Sequence, residues 1–310
     1  MTKDLHQLFQ EFIFECEFIR KLRPATIVGY KQAYTTLQKL IPDMSLDKMY
    51  SSTIIEFFKT LHERKRIVGK GTEKSGIEKS TAASYWSKLN SFFKWLVTNG
   101  HIQKNPFKGM AFPMPSYEDK KYLQKDEVER IFTAIHIHNK NLLIFKRSLV
   151  VVHLLLFCGL RKAELLLLQI RDIDFERKML TIRAQTSKAG TSRQIPIHSS
   201  TLLHLKDYIE ERKAYKTPFV LVSTMHDDKL SDDGLIHLIR RLRTLSGVSF
   251  HLHQFRHTFA VNFLQATNNI FALRNLLGHK DIRVTTLYLR CLPPGQMRAD
   301  IESMSIDNFL

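Results

Sequence analysis

The sequence predicts a mainly α-helical protein of two domains, with one small β-hairpin or sheet in the second. Three observations carry this. Apolar residues recur at three-and-four spacing over most of the chain, the signature of helices with one buried face. A stretch with three prolines and no periodicity, KNPFKGMAFPMPSYEDKKY at 104–122, interrupts that pattern as a linker does. Only MLTIRAQ and RQIPI read as strands, on either side of the turn Ser187-Lys188-Ala189-Gly190-Thr191. At 310 residues and 44% hydrophobic, the chain can fill two cores. We expect domains at 1–112 and 123–310, joined by a linker at 113–122.

In the first domain, Leu5, Leu8, Phe9, Phe12, Ile13 and Cys16 line one face of a helix over 2–21. Pro24 suits the first position of a second helix, which Thr26, Tyr30, Tyr34 and Leu37 continue. A third covers 51–63. The segment RKRIVGKGTEKSGIEKS (64–80) is basic, glycine-bearing and too polar for a core element, so it reads as a loop. Ser80 or Thr81 then caps a fourth helix that buries Trp86, Leu89, Phe92, Phe93 and Leu96 and stops at Asn99-Gly100. In the second domain, helices are expected at about 124–138, 143–158 and 161–168, then the hairpin. Further helices follow at about 199–213, 231–246, 254–267, 270–277 and 281–290, with a short one at 296–304.

The formal net charge is +17. It divides evenly, with 18 Lys and Arg against 10 Asp and Glu up to residue 112 (net +8) and 29 against 20 beyond it (net +9). A polyanion gripped by both domains fits this better than a single basic tail, and nucleic acid is the first candidate. The three cysteines, Cys16, Cys158 and Cys291, are odd in number, far apart and outside any CxxC spacing, which disfavours a disulfide framework and fits a reducing compartment. The N-terminus lacks the pattern of a signal peptide, and no apolar run is long enough to span a membrane. A cytoplasmic protein is expected.

Four stretches carry candidate chemistry. In HLHQFRHTF (251–259), His253 and His257 are four apart, as in a helical zinc site, but Arg256 shares their face and would oppose a cation. The same residues suit an anion better: Arg256 offers a planar fork of donors, and His253 lies near a helix start, where free N–H groups favour negative charge. Solvated surface histidines beside an ordinary arginine would also account for the stretch alone. In CGLRKAELLLLQIRDIDF (158–175), Gly159 breaks an apolar helix and Arg161 opens the next, with Glu164 one turn on and able to orient it. Taken by itself, that pair is better explained as an isolated salt bridge. In LLGHKDIRVTTLYLR (276–290), Gly278-His279 ends one helix and Asp281 starts another, so His279 and Tyr288 can converge although nine residues apart. A packing role for Tyr288, flanked by leucines, is the alternative. Lys188 sits on the hairpin turn.

Taken together, GLRKAELLLLQIRDID, TSKAGTSRQIPI, HLHQFRHTFA and LLGHKDIRVTTLY resemble, in order and spacing, the active-site signature of the tyrosine recombinase (phage integrase) family. The likeness spans nearly the whole chain, because the region from Thr26 and Tyr30 to SFFKWLVTNGHIQKNP resembles that family's helical, SAM-like core-binding domain. Phe255 stands where the family often has Leu, and Arg290 where it often has His.

The resemblance implies a two-domain, C-shaped clamp on double-stranded DNA, and a site-specific recombinase or integrase that cuts and rejoins DNA through a 3′-phosphotyrosine, with no ATP, cofactor or metal. Tyr288 would be the nucleophile, Arg161 and Arg256 the clamp on the nonbridging oxygens, and His279 a further hydrogen bond there. His253 would be the general base, Lys188 the general acid and Glu164 the support of Arg161, with His257 either packing or supporting the residues that act. It implies a homotetramer on DNA, accessory DNA-bending proteins as further candidate partners, and a cytoplasmic, nucleoid-associated location. The segment 64–79 is a candidate backbone grip, and the apolar segment 296–310 would dock on its own domain or on a neighbouring protomer. The rival readings are a catalytically silent DNA-binding regulator of the same fold and a type IB topoisomerase-like enzyme.

Overall fold

The computed structural model describes residues 4–68, 71–113, 122–138 and 141–291. The chain divides into two compact units, Met1–Tyr117 and Glu118–Leu310. Much of the expected linker, 114–121, lies outside the described residues, as do the short helix expected at 296–304 and the apolar segment 296–310.

The first unit is built from α1 (Leu5–Phe14), α2 (Pro24–Leu40), α3 (Ser51–Glu63) and α4 (Lys79–Thr98). Asp4 starts α1 in a reciprocal capping box: its carboxylate accepts the Gln7 N–H at 2.7 Å, and the Gln7 side chain accepts the Asp4 N–H at 3.1 Å. The expected helix over 2–21 widens into a π-turn at Glu15–Ile19, and Pro24 occupies the start of α2. The buried faces meet in an aromatic core, where Phe9 stacks on Tyr34 at 3.8 Å between ring centres and Phe92 meets Phe9 edge-on.

Two expectations for this unit need correction. The supposed loop 64–80 holds an antiparallel hairpin of β1 (Lys65–Val68) and β2 (Thr72–Ser75), in register Lys65 to Ser75 and Val68 to Thr72. Its β2 side chains are all exposed, so backbone pairing and a Lys65–Glu73 ion pair hold it with no apolar face to betray it in the sequence. The fourth helix also begins earlier, at Lys79, which leaves Ser80 and Thr81 inside its first turn, neither capping it.

In the second unit, α5 (Lys125–His138) and α6 (Leu142–Phe157) are followed by the five-residue α7 (Lys162–Leu166). A three-stranded antiparallel sheet comes next, in the order β3 (Ile173–Asp174), β4 (Met179–Ile182), β5 (Arg193–Pro196). Helices α8 (Ser199–Glu211), α9 (Asp232–Ser246), α10 (Leu252–Thr267), α11 (Ile270–Leu277) and α12 (Arg283–Thr286) complete it, with a 3-10 turn at Leu287–Cys291. Every residue of α6 from Arg147 to Leu156 is buried, which makes it the central helix, packed against α5, α8 and α10.

The strand MLTIRAQ ends at Ile182, three residues short of expectation. Arg183 leaves the ladder to bond Asp172 and the Leu167 carbonyl, while its own carbonyl accepts the N–H groups of Thr186 and Ser187 in a turn. The connection to β5 is therefore a ten-residue loop, 183–192, in place of the short turn 187–191. The expected helix 161–168 contracts to α7. The expected helix 281–290 splits into α12 and the tighter 3-10 turn, which brings Tyr288 into a small core with Phe259, Leu264 and Leu277.

Candidate active site

The arginines of the two sequence stretches meet at the C-terminal end of α11. Arg256 on α10 is 1% exposed. Its Nη1 donates to the Gly159 carbonyl at 2.6 Å, and its Nη2 to the Leu277 carbonyl at 2.6 Å. Arg161 caps the start of α7 and donates through Nη2 to the next carbonyl along, Gly278, at 3.3 Å. The two guanidiniums thus end on consecutive backbone oxygens. Burial, then the neighbouring Arg161 charge, pulls Arg256 down to about 9.

Two glycines make this arrangement possible. Gly159 and Gly278 both have left-handed backbones (φ 60° and 61°) that turn their carbonyls toward the arginines. A Cβ at Gly159 would also stand 2.4 Å from the Phe259 ring. Gly159→Ala is expected to lose about 3 kcal/mol or more, from the backbone penalty plus overpacking. Urea denaturation followed by circular dichroism checks this, and a loss under about 1 kcal/mol would show that the Phe259 contact relaxes freely.

Glu164 organises the arginines. It is 1% exposed and accepts from Arg161 Nη1 at 2.9 Å and from the Arg161 N–H at 3.0 Å. Arg193 on β5 donates to both its oxygens, at 2.9 and 2.7 Å, and through Nε to the Leu276 carbonyl at 2.7 Å. Burial alone would raise the Glu164 carboxyl. The bonds and charge of Arg193, then those of Arg161, override it and hold the group at about 2. Sequence reasoning noted Glu164 and missed Arg193, whose partners lie 29 and 83 residues away.

His279 Nε2 lies 3.2 Å from Arg256 Nη2 and Nδ1 lies 3.0 Å from Thr285 Oγ1. An arginine can only donate, so Nε2 accepts here and Nδ1 carries the proton toward Thr285. Tyr288 is 1% exposed, with its hydroxyl 2.8 Å from His257 Nδ1. Burial pushes it up to about 12, against the opposing pull of Arg256 and Arg161. His257, expected to pack or to support the acting residues, is thus the residue bonded to the tyrosine hydroxyl. His253 is exposed and meets the tyrosine at one remove, its ring edge-on to His257 at 4.5 Å between centres.

Lys188 is exposed on the 183–192 loop. The neighbouring loop residues Ala189, Thr191 and Ser192 share a cavity of about 420 Å³ with Arg193, Arg274 and His279, so this loop borders the site. Among the described residues, no group of three His, Cys, Asp or Glu side chains is placed to hold a metal ion. Permanent cations, hydrogen-bond donors and one tyrosine hydroxyl are what the site offers, a set suited to a phosphate group and an attacking oxygen.

The phage integrase family model matches residues 121–293, and the phage integrase SAM-like domain model matches 4–114. The chain belongs to the phage integrase family. It is 30% identical to the tyrosine recombinase XerA of Saccharolobus solfataricus over 79% of this chain and 75% of that protein. It is 25% identical to the tyrosine recombinase XerC of Alcanivorax borkumensis over 93% of this chain and 91% of that one. Its fold matches the Tn1549 transposon integrase in complex with transposon right end DNA, with a TM-score of 0.79, 20% identity, and coverage of 97% and 99%. It also matches the XerH site-specific recombinase bound to palindromic difH, with a TM-score of 0.74, 18% identity, and coverage of 92% and 82%. The chain is a site-specific tyrosine recombinase, an enzyme of the class that breaks and rejoins DNA. No described helix of this recombinase is long and apolar enough to cross a membrane.

Proposed function

We propose that Tyr288 of this recombinase attacks a phosphodiester of double-stranded DNA, forming a 3′-phosphotyrosine and freeing a 5′-hydroxyl. The covalent link keeps the bond energy, so the strands can be exchanged and resealed without ATP. The observation that carries this reading is the pair of guanidiniums on consecutive carbonyls, Leu277 and Gly278, beside His279. Arg161 and Arg256 hold the nonbridging oxygens as negative charge builds on them. Phosphate binding draws Arg256 Nη2 away from His279, whose ring then takes the other tautomer, Nε2–H donating to the same oxygens while Nδ1 accepts from the Thr285 hydroxyl. Glu164 fixes Arg161.

A hydroxyl at about 12 is a weak nucleophile, so Tyr288 leaves its buried contact with His257 when DNA seats. His253, exposed beside His257, takes its proton as general base, and Lys188 gives one to the departing 5′-oxygen as general acid. The divided positive charge of the sequence suits a grip on DNA by both the domain at 1–112 and that at 123–310, with 113–122 between them. The recombinase works as a homotetramer on DNA, with accessory DNA-bending proteins where a site demands them, in the cytoplasm on the nucleoid.

A nicked duplex carrying the enzyme's own site, which traps the covalent step, tests the chemistry. An SDS-resistant protein–DNA adduct should form and should be unchanged by EDTA. Loss of the adduct with EDTA would overturn the metal-free mechanism, and absence of any adduct would favour a silent regulator. Relaxation of supercoiled plasmids lacking the site would favour the topoisomerase reading.

A further inference from the structure

A second cavity, of about 420 Å³, opens on the catalytic unit between the start of α6, the bend at 223–225 and one face of α9, and it shares no residue with the site above. Among the described residues its ionisable lining groups are Arg147, His237 and Arg241, and no Asp or Glu lines it.

Arg147 is the informative member. It is only 8% exposed, and Nη1 donates to the Val222 carbonyl at 2.7 Å, yet the buried Nε has no hydrogen-bond partner among the described residues. The adjacent Lys146 has Glu211 at 3.0 Å, whereas the acidic groups acting on Arg147 are the uncharged phenols of Tyr208 and Tyr215. A guanidinium taken out of water with neither a carboxylate nor a full set of acceptors is costly. A bound anion would remove that cost.

The rest of the lining is built to donate. Ser223 Oγ accepts the Met225 N–H at 3.1 Å, and Ser231 Oγ accepts the Gly234 N–H at 3.0 Å, which leaves each hydroxyl proton able to point into the cavity. Ser231 also caps α9, so the positive end of a 15-residue helix lies at the wall. Asp232, in the first turn, is not part of the lining and pairs with Lys162 at 2.9 Å. His237 and Arg241, one turn apart on α9, stand exposed at the rim.

We propose that this cavity is an anion site that takes a phosphate group, held by Arg147 at its base and Arg241 and His237 at its mouth. The phosphate comes either from the backbone of bound DNA or from a free phosphate. The first source rests on the recombinase reading; the second does not.

The test uses the full-length protein, Arg241→Gln and the double variant His237→Gln/Arg241→Gln. Arg240→Gln, exposed and outside the lining, is the control. Thermal unfolding is followed with inorganic phosphate against chloride at equal ionic strength, and duplex affinity is followed along a KCl series. If the source is free phosphate, phosphate raises the Tm of the wild type and the control, and the rim variants lose that rise. If the source is DNA, inorganic phosphate has no effect, and the Arg241→Gln slope of log affinity against log salt falls by about 0.9, one phosphate contact, while Arg240→Gln keeps the wild-type slope. The proposal is overturned if the rim variants match wild type in both measurements, or if Arg240→Gln changes as much as Arg241→Gln. Exposed rim positions keep the fold intact, so the result does not depend on whether Arg147→Gln folds. Failure of the wild type to form the nicked-substrate adduct would sink the recombinase reading and leave the phosphate-dependent Tm as it was.

Discussion

Glu164→Gln should abolish detectable DNA cleavage and destabilise the catalytic unit by about 3–5 kcal/mol, the usual cost of removing one partner from a buried charge pair. Glu164 is the single carboxylate shared by Arg161 and Arg193, and a glutamine can accept at one atom only, so two guanidiniums lose their counter-charge together. The damage reaches the substrate site, because Arg193 also bonds the Leu276 carbonyl, just before the Leu277 and Gly278 carbonyls that hold Arg256 and Arg161. A pH signature accompanies it. The folded Glu164 carboxyl is depressed to about 2, so it contributes stability that is present above its ordinary value and lost as pH falls from about 5 toward 2. Wild type should therefore lose stability over that window, and Glu164→Gln should show a shallower loss. Parallel urea titrations at several pH values measure this, and identical pH slopes would contradict it.

Arg256→Lys should fold and should cut about 100- to 1,000-fold more slowly, the scale of losing one preorganised donor to a developing charge. Charge is conserved in this substitution; geometry is not. The guanidinium reaches Gly159, Leu277 and His279 from two nitrogens in one plane, while an ammonium on a flexible stem offers one point of attachment. Single-turnover cleavage of the nicked duplex at saturating protein separates the two contributions. A rate within tenfold of wild type would mean that charge alone suffices at this position.

How much of this was legible in the sequence depends on distance along the chain. Arg161 and Glu164 meet because three residues make one helical turn, so that pair was readable from spacing. The inward Arg256 on α10 was fixed only by the resemblance, the stretch alone fitting a surface arginine as well. Arg193 was not readable from spacing, because it reaches Glu164 only once β5 pairs with β4 and lays its side chain against α7. The choice between His253 and His257 was likewise closed to spacing. Both lie on one face of α10, and the 3-10 turn at Leu287–Cys291 decides which ring the tyrosine meets. The β1–β2 hairpin was hidden for a different reason. With its β2 side chains all exposed, it has no alternation of apolar and polar residues to announce a strand.

The central claim, that Tyr288 forms the bond to DNA, is tested most directly by digesting the trapped adduct and identifying the DNA-linked peptide by mass spectrometry. The account predicts a 3′-phosphate on Tyr288 and no adduct from Tyr288→Phe. A phosphorylated linkage on any other residue, or an adduct that persists in Tyr288→Phe, would contradict it.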